Sequence, residues 1–176
     1  TYVSSGGYCY IGDGVADDTI VYAGGSVYVN LGMVKNTVIH SGGKVSVISA
    51  TASNTDILSA GSCYVYGGKI YNTQIADEAS LRVSSGSASN TQIASGGSLV
   101  LGRGAVHQGQ LTIANGAIVS AYSESTVDFT LVDRTSSSGY LVNDLARISG
   151  LHKFSITVAD TQTSGVYKLA QGTENL

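Results

Sequence analysis

The chain has 176 residues, a formal net charge of −3 and 12% charged residues, with no cluster of Lys or Arg, so the basic footprint that nucleic acid or an anionic membrane requires is missing. Its 43% hydrophobic content excludes charge-driven disorder. Twenty-three Gly scattered among many Ser, with 11 Tyr, no Pro and no Trp, exclude a helical bundle and favour strands.

A repeat begins at the first residue. Thr1, Thr19, Thr37, Thr55, Thr73 and Thr91 recur at a constant step of 18 residues, which divides residues 1–108 into six frames. In the third place of each frame stand Val3, Val21, Ile39, Ile57, Ile75 and Ile93. The ninth holds Cys9, Val27, Val45, Cys63, Leu81 and Leu99, and the eleventh Ile11, Val29, Val47, Val65, Val83 and Leu101. The sixteenth holds Ala16, Val34, Ala52, Ile70, Ala88 and Val106. All these places are apolar and are expected to face inward.

Alternation around places nine and eleven has the two-residue period of a half-buried strand. Gly pairs such as Gly24-Gly25 and Gly42-Gly43 supply one corner, and Gly14, Gly32, Gly68, Gly86 and Gly104 mark a second. An 18-residue unit cannot bury its apolar face alone, so it stacks on its copies. The pattern predicts an all-β, right-handed parallel β-solenoid whose like residues lie over like residues about 4.8 Å apart. Asn36, Asn54, Asn72 and Asn90 then form a column of amides that bond from coil to coil. Thr in the first place shares the face of the inward third place, so an inward or corner-bonding side chain is expected. Cys9 and Cys63 share one inward column three coils apart, about 14 Å, beyond the reach of a disulfide; free buried thiols follow.

From Gly109 the frame slips, and residues up to 125 read as one degenerate coil. Residues 126–176 form an irregular C-terminal β unit, a cap or the start of a next module, with strands expected over 127–132, 140–148, 154–158 and 166–170 in antiparallel or mixed pairing. A solenoid end that is covered in this way is protected from edge-to-edge association.

The phrases Thr37-Val38-Ile39-His40-Ser41-Gly42-Gly43-Lys44-Val45-Ser46-Val47 and Thr91-Gln92-Ile93-Ala94-Ser95-Gly96-Gly97-Ser98-Leu99-Val100-Leu101, with Ala-Ser-Asn-Thr at 52–55 and 88–91, resemble the repeats of AIDA-type autotransporter adhesins. That resemblance spans about residues 1–108. It implies a secreted or surface-displayed bacterial β-helical passenger, attachment to host or neighbouring cells, and glycosylation of Ser and Thr. Thr1 to Gly7 have neither the basic start nor the apolar run of a signal peptide, and no stretch of about 18 apolar residues is present. Export signal and anchor are expected elsewhere in a longer parent protein, with no membrane insertion by these residues.

The acidic residues Asp56, Asp77, Glu78, Asp128 and Asp133 are dispersed, which does not build the convergent carboxylates of a polysaccharide lyase or hydrolase, the rival reading for a β-helix. An inert spacer is the other alternative. Asp13, Asp17 and Asp18 faintly suggest a calcium loop, but the same places later hold Leu31, Lys35 and Asn36, so a solvated corner is expected. His40, His107 and His152 fall in unrelated columns and are expected on the surface. No catalytic residue, metal or cofactor is assigned. The candidate exposed binding surface is Tyr8, Tyr10, Tyr28 and Tyr64, an aromatic patch for sugar rings, a cell-surface partner or a second copy of the chain.

Overall fold

The computed structural model describes residues 1–150 and 152–172. Every strand pair in it is parallel, and the chain winds as a β-solenoid. The expected step holds in register: Ile39 lies beside Ile57, Ile57 beside Ile75, and Ile75 beside Ile93, each 18 residues on. Val27, Val45, Cys63, Leu81 and Leu99 form a second buried file. The inward files merge into one core along the stack.

Each regular coil has three strand segments and three corners, one corner more than the Gly pattern marks. At the first corner Gly42 takes φ 73°, open to glycine without strain. Its partner Gly43 is there for space instead, since a Cβ would meet Val21 O at 2.8 Å. The second corner places the left-handed residue in the thirteenth place, at Leu31, Ser49 and Gly67, or in the fourteenth, at Gly14, Gly86 and Gly104. The third corner is the Asn column itself, with φ of 48° at Asn36, 50° at Asn54, 55° at Asn72 and 52° at Asn90. Asn is the non-glycine residue best suited to that conformation, because its short amide bonds locally.

Here the amides bond to one another. Asn54 Nδ2 donates to Asn36 Oδ1 at 3.0 Å, Asn72 to Asn54 at 3.1 Å and Asn90 to Asn72 at 3.3 Å. Asn36 in turn donates to Asp17 and Asp18 at 2.9 and 3.3 Å, and Asn90 Oδ1 accepts the Gln110 backbone N–H at 3.1 Å. Turn-forming and stacking demands thus fall on one residue type.

The coil lengthens after Leu101. Leu99 pairs with Val119 and Ile93 with Ile113, steps of 20 residues, while Ala88 already pairs with His107, a step of 19. One residue is therefore added at the corner between Leu101 and Ala105, and a second between Gln108 and Leu111. The first addition has a sharp effect, because side chains alternate faces along a strand and a slip of one exchanges them. Val106, expected inward, is half-exposed, and His107, expected on the surface, is fully buried.

Beyond residue 125 the pairing stays parallel, not antiparallel or mixed. Strand Ser125–Thr130 pairs with His152–Thr157, and Ile118–Ala121 with Ile148–Ser149. Of the strand expected over 140–148, only a bridge at Val142 and the short Ile148–Ser149 form, with a 3₁₀ turn at Leu145–Arg147 between them. Asn143 explains the break: its side chain bonds the Ile113 N–H at 2.7 Å and the Ile113 carbonyl at 2.9 Å, taking the place of a backbone partner. The strand expected over 166–170 is reduced to a bridge between Ala170 and Val142.

Candidate binding surface

Outward places of the second strand segment carry the tyrosines singled out above. Tyr8 and Tyr10 lie on Tyr8–Ile11, the first strand of that side, and are strongly exposed. Parallel register sets Tyr10 beside Tyr28, their rings stacked with centroids 6.3 Å apart and planes 19° apart. Asn30 Nδ2 donates to the Tyr10 hydroxyl at 3.2 Å and fixes that ring. The column is then interrupted: Tyr28 neighbours Ser46, and Ser46 neighbours Tyr64. Tyr64 stacks on Tyr66 of its own coil, 6.4 Å away. So the four residues are divided: Tyr10 and Tyr28 form one stacked pair with Tyr8 on the same strand, and Tyr64, beyond the gap at Ser46, pairs with Tyr66, which is outside the four. Tyr22, stacked on the half-exposed His40 at 5.0 Å, adds an aromatic site on another corner.

Asp17 and Asp18 face the Asn column and accept from Asn36, while Asp17 Oδ1 also takes the Asp18 N–H at 2.9 Å. Their oxygens end the amide series. No group of three metal-ligating side chains occurs among the described residues.

Three buried polar features lie off this surface. The first-place threonines point inward, and the hydroxyls of Thr19, Thr37, Thr55 and Thr73 have no protein partner, whereas Thr91 Oγ1 lies 3.2 Å from His107 Nε2. Burial pushes the His107 pKa down to about 4 and the Cys63 thiol up to about 12. Cys9 is free and half-buried, and Cys63 is free and buried. Asp128, 4% exposed, accepts hydrogen bonds from Ser155 at 2.5 Å, Thr130 at 2.6 Å and Thr157 at 3.0 Å. Burial raises its pKa, but the three hydroxyls outweigh that and hold the carboxyl below its ordinary value. This cluster, missed in the sequence because two of its three partners, Ser155 and Thr157, are 27 and 29 residues away, fastens strand His152–Thr157 to Ser125–Thr130.

No family model and no curated protein matches the chain. Among solved structures, the chain is similar to the crystal structure of a TibC-catalyzed hyper-glycosylated TibA fragment, at 25% identity over 93% of this chain and 73% of that one, with a TM-score of 0.42.

Proposed function

We propose that the chain is a structural and adhesive segment of a bacterial secreted or surface-displayed repeat protein, acting outside the cell. The carrying observation is the constant register of the stack, which turns every outward place into a column repeated from coil to coil. A surface of that kind suits attachment through many weak contacts, whose total grows as neighbouring contacts raise one another's effective concentration. Tyr8, Tyr10, Tyr28 and Tyr64 supply rigid aromatic area for such contacts. The partners are host or neighbouring cell surfaces, their glycans, or a second copy of the chain. The likeness of residues 1–108 to AIDA-type repeats supports this reading.

Attachment of cells to beads coated with the chain tests it. Removal of one in-frame coil, Thr55–Asn72, which carries Tyr64 and Tyr66, is expected to preserve β structure and to weaken attachment by degrees. Beads that hold no cells while carrying folded protein would favour an inert spacer.

A further inference from the structure

The buried side of the first strand segment carries a file of hydroxyls. Thr19, Thr37, Thr55, Thr73 and Thr91 are each at most 1% exposed, and strand pairing sets each directly beside the next. Like places in successive coils lie about 4.8 Å apart, too far for one hydroxyl to bond another, which needs about 2.8 Å. The Oγ1 atoms of Thr19, Thr37, Thr55 and Thr73 accordingly have no hydrogen-bond partner among the described residues. A hydroxyl withdrawn from water without a partner is destabilising, and several in one core would offset a large share of a domain's stability.

The fifth member shows where a partner stands. Beyond Thr91 the column continues with Leu111, which has no hydroxyl, and there the protein supplies the polar atom itself. His107, fully buried beside Ala88, places Nε2 3.2 Å from Thr91 Oγ1. The place of His107 is held by Ala88 in the coil of Thr73, by Ile70 in that of Thr55, by Ala52 in that of Thr37 and by Val34 in that of Thr19. None of these four side chains has a polar atom. Ile70 and Val34 fill the place with branched carbon, whereas Ala52 and Ala88 leave the space that the imidazole takes up one coil further on.

We infer that the core holds two bound water molecules, one bridging Thr37 and Thr55 beside Ala52, and one bridging Thr73 and Thr91 beside Ala88. Two bonds of about 2.8 Å across a gap of about 4.8 Å meet at roughly 118° on the water oxygen, an ordinary angle for its two partners. Two hydroxyls meet the minimum that a buried water requires, and each can donate or accept as the water demands. The gaps beside Val34 and Ile70 take no water. Each molecule ties two coils together through the interior, as the Asn amides tie them at the outer corner. This goes beyond the adhesive reading and does not depend on it.

The test combines a high-resolution crystal structure of the full chain with oxygen-17 water relaxation dispersion, which counts long-lived internal waters in solution. Density is expected between Oγ1 of Thr37 and Thr55 and between Oγ1 of Thr73 and Thr91. Thr55→Val keeps the side-chain shape and removes the hydroxyl, so the dispersion amplitude is expected to fall by one water and the urea midpoint to move down. Thr55→Ser retains the hydroxyl and is expected to retain the full amplitude. Absence of density from either gap, an unchanged amplitude in Thr55→Val, or a higher urea midpoint for that variant, as loss of an unbonded hydroxyl would give, overturns the assignment. Should Thr55→Val not fold, the density in the unaltered chain decides alone.

Discussion

Asn54 combines a left-handed backbone, φ 50°, with bonds to both Asn36 and Asn72, so its substitutions separate the two contributions. Asn54→Gly keeps the conformation accessible and loses only the amide bonds. Asn54→Ala loses the bonds and forces a Cβ into an unfavourable region, and is expected to cost roughly 2 kcal/mol, about twice the glycine variant, in urea unfolding. Equal losses would deny the backbone a part. His107 gives a pH signature. An ordinary imidazole is protonated near 6.5, whereas burial delays this to about 4 in the folded chain. The unfolded chain therefore takes up the proton first. Stability from the neutral ring is full above about 6.5 and declines as pH falls to about 4, by roughly 3 kcal/mol across the window. His107→Leu is expected to flatten that slope in denaturation curves between those pH values; an unchanged slope would place the titration elsewhere. The two thiols should differ as well: Cys9 reacts with an aromatic disulfide reagent in native protein, and Cys63, held near 12 by burial, reacts only on unfolding.

At the scale of elements, the regular coils were legible and the altered ones were not. Columns such as Ile39, Ile57, Ile75 and Ile93 state their register openly, because each repeats at a fixed place and faces the same core. The single residue added between Leu101 and Ala105 is invisible to composition: Val106 reads as the next apolar entry, and only pairing reveals that His107 takes the buried place beside Thr91. The third corner was hidden in the Asn column, whose stacking was foreseen but whose left-handed backbone was not. Strand His152–Thr157 escaped correct orientation because its anchor is the carboxylate of Asp128, remote in sequence. Asp128→Ala removes the acceptor of three hydroxyls and is expected to cost roughly 2 kcal/mol. Hydrogen exchange should quicken over 152–157 and stay unchanged over 62–75. Quickening in both segments alike would show that the cluster is not a local fastening.

For the molecule as a whole, the stack is nearly one-dimensional, since each coil meets only its neighbours. Ile57→Asp places a charge in the middle of the buried file and is expected to unfold the chain at markedly lower urea concentration than Val3→Asp in the first coil. Identical midpoints would contradict a stack of locally coupled coils. The tyrosine candidates show where sequence reading reaches its limit at this scale: their outward facing followed from alternation, but the gap at Ser46 and the separate Tyr64–Tyr66 stack required the register of neighbouring coils. The Asn column also gives the molecule an electrical direction. Every amide donates toward the first coil, so the bond dipoles add along the axis as peptide dipoles add along a helix, with the positive end at Asn36. Asp17 and Asp18 sit at that end, where negative charge is favoured. Each bond in such a row polarises the next, so the carboxylates and the amide row they cap form one aligned series of dipoles along the flank of the solenoid.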